Sequence, residues 1–254
     1  MRHPFRILQT GFNDAFFNMG LDEAVLGSVA DSSSLPTLRL YGWRPSAISL
    51  GYFQGIADEI DVEACVRQGV DIVRRITGGG AVFHDAEVTY SIVIPEGHPL
   101  APPSIIDSYS IICSGIIEGL GELHIKAEFA PINDIVSGGR KISGNAQTRK
   151  RGCLLQHGTV LLRVDVDKMF SLLKVPKEKA LGKMIDDVKA RVTSVEKALR
   201  REVSYEETAE AMRIGFARAL SMDPLKETPT PKELAVAAAL AKEKFQSREW
   251  TFKR

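Results

Sequence analysis

Residues 74–85 read RRITGGGAVFHD: two arginines run into three consecutive glycines, and a histidine and an aspartate follow. A glycine triplet constrains a fold strongly, because each glycine loses more conformational freedom on ordering than any other residue. Such a run is kept where bare backbone has to meet something. Successive N–H groups freed of side chains can converge on an anion, and neighbouring arginines add charge-assisted, bidentate contacts. Arg74 and Arg75 end a predicted strand over 71–76. Their side chains therefore point to opposite faces, and only one of them enters a given site. The spacing fits neither a Walker A loop nor a dinucleotide fingerprint. A tight turn between strands is the competing reading for any Gly-Gly pair. The flanking Arg, His and Asp favour an anion or nucleotide site.

Bulk charge does not supply that anion affinity. The formal net charge of the 254 residues is +1, so nothing global draws the chain to nucleic acid or a membrane surface. Hydrophobic residues make up 44% and charged residues 26%, as in an ordinary globular domain. Three cysteines do not make a disulfide framework. The start MRHPFRILQTGF lacks the apolar core of a secretion signal, and no apolar run approaches the ~18 residues of a membrane span. A cytoplasmic protein is expected.

Along the chain, Asn13 is placed to cap a helix with the stripe Phe17, Leu21, Ala24, Val25 and Val29. Segment 37–53 alternates as two strands around a turn at Arg44-Pro45. A short helix is predicted over 61–69, and a strand carries Val88, Tyr90, Ile92 and Ile94. Tyr109, Ile112, Cys113, Ile116, Ile117 and Leu120 form one helical face. Several short strands are predicted over 124–162, and mainly helices after Asp165. This order implies an α+β fold, a mixed or antiparallel sheet flanked by helices, in a single domain spanning 1–254.

Two more stretches carry chemistry. In NDIVSGGRKISGNAQT (133–148), Gly138-Gly139 is a hairpin turn signal joining a strand with Asp134 to one with Lys141. A carboxylate and an ammonium can then face each other across the strands. A lysine among small residues suits a reaction in which negative charge develops on a transferred carboxyl or phosphoryl group. Asp134 can orient that lysine or bind a divalent cation. In LLQHGTVLL, His157 sits in an apolar strand, where a satisfied core histidine is the plainer reading.

Together, RRITGGGAVFHD, NDI–GGRKISGNAQ and the QHGTVLL strand strongly resemble the lipoate–protein ligase A family. That family shares its catalytic fold, the class II synthetase-like fold, with biotin–protein ligases and octanoyltransferases. The likeness runs from FNMGLDEA through LRLYGW and SLGYFQ to SREW, over nearly the whole chain. It implies an enzyme that activates lipoate with ATP and Mg²⁺ to lipoyl-AMP. The acyl group then passes to a lysine of a lipoyl carrier domain, of the 2-oxoacid dehydrogenase E2 or glycine-cleavage H type. By that resemblance Lys141 is the central catalytic residue, with Asp134 beside it near the metal. Arg74, Gly78, Gly79 and Gly80 line the acyl-adenylate cleft, His84 stands at its wall, and His157 counts among the residues that bind substrate or adenylate. Asn133, Ser143, Gly144 and Ala146 help hold the adenylate. The acyl tail lies along Leu50 and Gly51.

Two departures qualify the ligase expectation. Many family ligases carry an accessory domain after the SxEW-like segment, whereas this chain stops at Arg254, which implies a separate accessory-domain protein or none. The related octanoyltransferases use no ATP and pass octanoate from an acyl carrier protein through a cysteine thioester. Their cysteine either precedes the motif lysine in an insertion or follows the His-Gly strand by some twenty residues. Segments 128–140 and 163–182 contain no cysteine. Cys65 and Cys113 fall at core spacings, while Cys153 follows Arg149-Lys150-Arg151, whose charge can lower a thiol pKa. That basic run is either a solvated turn or a contact for an acidic carrier. The expected activity is therefore the ATP-dependent ligase, with the octanoyltransferase second and a non-catalytic carrier-binding subunit third.

Overall fold

A computed structural model describes residues 2–174 and 178–254, without side-chain detail at 178–183. Its strands are β1 (His3–Asn13), β2 (Thr37–Trp43), β3 (Ala47–Leu50), β4 (Asp71–Arg74), β5 (Val82–His84), β6 (Glu87–Pro95), β7 (Glu128–Ala130), β8 (Asp134–Ser137), β9 (Arg140–Lys150), β10 (Cys153–Leu161) and β11 (Met222–Glu227). Eight form a mixed sheet in the order β11-β1-β2-β6-β10-β9-β8-β7, and β4-β3-β5 form a second, smaller sheet. β1 runs parallel to both its neighbours, and the remaining pairings of the large sheet are antiparallel. This is the expected α+β architecture. Segment 37–53 does make two strands, but they do not pair: β2 joins the large sheet and β3 the small one.

Alternation along the strands feeds two cores. Leu38, Leu40, Ile92 and Ile94 face the helices Ile105–Glu122 and Tyr205–Ala219, which bury Ile112, Ile116, Leu120, Met212 and Phe216 against them. Leu8, Tyr41, Val93 and Leu155 face the helices Ala15–Ala30 and Pro231–Leu240. A third cluster, including Ile48, Leu50, Ile60, Cys65 and Leu172, packs about the small sheet. Among the described residues no helix is long and apolar enough to cross a membrane. The first helix is capped by Asp14, whose side chain accepts from Phe17 N–H, and not by Asn13. Asn13 is the last residue of β1, paired with Trp43, so its backbone still belongs to the sheet.

Glycine sets the approach of the two helices on the first face. A Cβ on Gly215 would lie 2.1 Å from the backbone nitrogen of Gly119. Gly215→Ala is expected to force the helices apart and cost about 1–3 kcal/mol. A urea midpoint unchanged by the substitution would show that the contact is looser than described.

Candidate active site

The two adjacent arginines diverge, as their parity requires. Arg74 is fully buried and points away from the glycine run. Its guanidinium donates to the carbonyls of Gly51 (2.9 Å), Gln54 (2.7 Å) and Thr251 (2.9 Å). Trp250 Nε1 in turn donates to the Arg74 carbonyl at 2.8 Å. Arg74 thus ties loop 51–54 to the C-terminal helix Arg248–Thr251 and does not line the cleft. Arg75 takes the place expected of it. Its Nη2 donates to the carbonyls of Gly78 and Gly80, both at 2.7 Å, and its Nε to Thr77 Oγ1 at 3.1 Å. Burial lowers its pKa to about 10, so it stays charged at neutral pH. With two glycine carbonyls turned inward onto this charge, the N–H groups of Gly78, Gly79 and Gly80 engage no acceptor among the described residues. Gly79 has φ +93°, and Gly51 presses so close that a Cβ there would lie 1.9 Å from the Gly79 carbonyl oxygen.

Beside this loop lies a cavity of about 340 Å³. Gly79, Gly80, His84, Asn133, Lys141, Gly144, Ala146 and His157 all line it, drawn from three separate stretches of sequence. Met19, Trp43, Phe83, Leu161 and Met169 supply apolar wall. Gly78, Asp134 and Ser143 do not reach the wall. Asp134 acts through Lys141, accepting from its Nζ at 2.7 Å across the β8–β9 hairpin. Gly138 and Gly139, at φ +55° and +72°, make the turn of that hairpin. Lys141 lies over Gly144, where a Cβ would fall 2.8 Å from its Cε. Mg²⁺ was expected beside Asp134. That carboxylate is taken by Lys141, and no three His, Cys, Asp or Glu side chains gather among the described residues to hold a metal. These residues do not by themselves build a Mg²⁺ site.

His84 belongs to an ordered relay that the sequence does not mark. Its Nε2 is 2.7 Å from Ser49 Oγ, and its Nδ1 is 2.6 Å from Glu87 Oε1. Thr89 Oγ1 donates to the same Glu87 oxygen at 2.6 Å and accepts from Trp43 Nε1 at 2.7 Å. Trp43 also stacks on the His84 ring, with centroids 4.1 Å apart at 17°. At the other end Arg75 Nη1 donates to Ser49 Oγ at 3.1 Å. Ser49, His84 and Glu87 are buried from solvent yet face the cavity.

Behind His157 lies a second buried network. Asp22 accepts from Arg39 (2.7 Å), Ser91 (2.7 Å) and Tyr41 (2.9 Å), and its Oδ2 is 3.5 Å from His157 Nδ1. Burial raises the Asp22 carboxyl, but Arg39, His157 and Ser91 together outweigh burial and hold it below the usual carboxylate value. Burial lowers His157, so its imidazole is neutral at pH 7, and its Nε2 meets Thr77 Oγ1 at 2.7 Å.

None of the three cysteines lines the cavity. Burial lifts the thiols of Cys65 and Cys113 to about 11 and about 12. For Cys153, burial and Glu96 raise the pKa and Arg151 opposes them, leaving it raised. The basic run before Cys153 therefore does not activate it.

Residues 14–217 match the family model described as the lipoyl protein ligase A/B catalytic domain. Octanoyltransferase LipM of Geobacillus kaustophilus (strain HTA426) is 38% identical, covering 100% of this chain and 99% of its own length. Octanoyltransferase LipM of Bacillus subtilis (strain 168) is 34% identical with the same coverage. Among solved structures, the bipartite lipoate protein ligase of Thermoplasma acidophilum, studied with its E2 lipoyl domain, superposes with a TM-score of 0.85. It is 28% identical, over 99% of this chain and 96% of that one. A lipoate-protein ligase A bound with ATP gives a TM-score of 0.82 at 28% identity, over 99% of both chains. The full-length octanoyltransferase relatives overturn the expectation of an ATP-dependent lipoate ligase in favour of the transferase alternative. The chain resembles octanoyltransferases and lipoate ligases over nearly its whole length, so that resemblance alone could not separate the two activities. The chain belongs to the lipoyl protein ligase A/B catalytic-domain family.

Proposed function

We propose that this enzyme is an octanoyltransferase. It moves an octanoyl group from a carrier-protein thioester to the ε-amine of a lysine on a lipoyl carrier domain. The observation that carries this reading is the end-to-end likeness to octanoyltransferases, at 38% identity over the whole chain. The cavity supports it. Its volume of about 340 Å³ suits a medium acyl chain, and Met19, Trp43 and Phe83 offer that chain apolar wall. Each methylene buried there contributes about 0.8 kcal/mol. Lys141 and the free N–H groups of the glycine loop stabilise the oxyanion that forms when the thioester carbonyl is attacked. A thioester is already activated, so the ATP, Mg²⁺ and separate adenylating partner of the ligase have no part here. A lipoyl carrier domain as acceptor is supported by the structural neighbour studied with its E2 lipoyl domain.

The test is direct. Octanoyl-acyl carrier protein, the apo lipoyl domain and this chain are combined without nucleotide. The lipoyl domain is expected to gain the mass of one octanoyl group on a single lysine. An unmodified domain beside intact octanoyl-carrier would refute the reading.

A further inference from the structure

We propose that Ser49 carries the octanoyl group between donor and acceptor, activated by His84 and Glu87. This rests on the transferase reading. That chemistry calls for a nucleophile at the cavity, and the three thiols lie elsewhere with raised pKa values. The alignment with the Geobacillus octanoyltransferase runs over 276 positions and takes in all of this chain. This chain has only 254 residues, so the relative holds segments that it lacks.

Hydrogen-bond direction singles out Ser49. Arg75 and Trp43, at the two ends of the relay, can only donate. Ser49 Oγ accepts from Arg75, so its own proton points to His84 Nε2. Thr89 accepts from Trp43, so its proton points to Glu87. With Nε2 accepting from the serine, the ring proton sits on Nδ1 and is donated to Glu87. Both ends impose the same tautomer, the one a nucleophile–base–carboxylate arrangement needs. The rival hydroxyl, Thr77 beside His157, does not line the cavity. Its histidine also stands 3.5 Å from Asp22, too long for an orienting hydrogen bond.

The chemistry balances. Ser49 Oγ gives its proton to His84 Nε2 and attacks the thioester carbonyl, with Arg75 beside it. The C–S bond breaks, and the donor thiolate leaves with the His84 proton. The acceptor lysine, entering as the neutral amine, attacks the resulting ester and passes a proton to His84. The C–O bond breaks, and Ser49 Oγ recovers that proton.

The chain is incubated with octanoyl-acyl carrier protein alone, digested and mapped by mass. One octanoyl group is expected on the peptide holding Ser49, and it should survive neutral hydroxylamine, which cleaves thioesters. Ser49→Ala should abolish the adduct and slow transfer to the lipoyl domain at least about a thousandfold, with unchanged circular dichroism. Ser49→Cys should restore an adduct that hydroxylamine now removes. A label on a cysteine or on Lys141 overturns the proposal. So does full octanoylation of the lipoyl domain by Ser49→Ala, which would leave the transferase reading standing. Absence of transfer by the unaltered chain would refute both.

Discussion

Replacing Lys141 by alanine is expected to lower the rate of octanoyl transfer by about a hundred- to a thousandfold, the loss seen when one oxyanion donor is removed. The fold should not notice. The Lys141–Asp134 pair is 42% and 35% exposed at its side chains, and exposed pairs contribute about 0–1 kcal/mol. Thermal unfolding and turnover measured on the same sample therefore separate the roles: activity falls while the melting temperature holds. Asp134→Ala frees the ammonium without removing it, so its effect on turnover should be much smaller. Equal losses in the two variants would mean that Lys141 acts only as the partner of Asp134. A loss of only a few-fold in Lys141→Ala would remove it from the chemistry.

Asp22→Ala is expected to be the most destabilising change near the site, at about 3–5 kcal/mol. Arg39 is 0% exposed, and without Asp22 its charge stays buried with Asn18 and Thr10 as hydrogen-bond partners and the Tyr41 ring beside it. Tyr41 and Ser91 lose an acceptor at the same time. The effect has a pH signature. A carboxyl held below its ordinary 3.8 stabilises the folded state above pH 3.8, and that contribution is lost as pH falls through the folded value. The gap between the unaltered chain and Asp22→Ala, measured by urea unfolding, should be full at pH 7 and narrow below about pH 4. A gap that widens on acidification would contradict the assignment of charge to Asp22.

The fold and three walls of the cavity were legible in the sequence because they rest on local rules. Side-chain parity at the end of β4 says that Arg74 and the next residue, Arg75, diverge, though not which of them turns inward; that depends on where β3 and the C-terminal helix lie. The Gly138-Gly139 turn brings Asp134 and Lys141 together from a single hairpin. Ser49 was not legible. It is an unremarked residue of an apolar strand, and it gains meaning only when β3 pairs with β5 and sets it against His84, thirty-five positions on. The activity was misread for a related reason. Segments 128–140 and 163–182 hold no cysteine, while a hydroxyl able to serve as nucleophile shows itself only through its neighbours in space.

The large sheet also dictates an order of assembly. One side of it, β6-β10-β9-β8-β7, grows by antiparallel pairings, several of them between consecutive strands. Its other edge is different: β1 must wait for β11, from the far end of the chain, and the buried Arg6–Glu233 ion pair seals that edge across 227 positions. Contacts of such long range form only after the intervening chain has been brought together. The hairpin side, which bears Lys141, is thus expected to become structured early. The N-terminal edge closes last, and on transient opening β11 is the strand most exposed to solvent exchange.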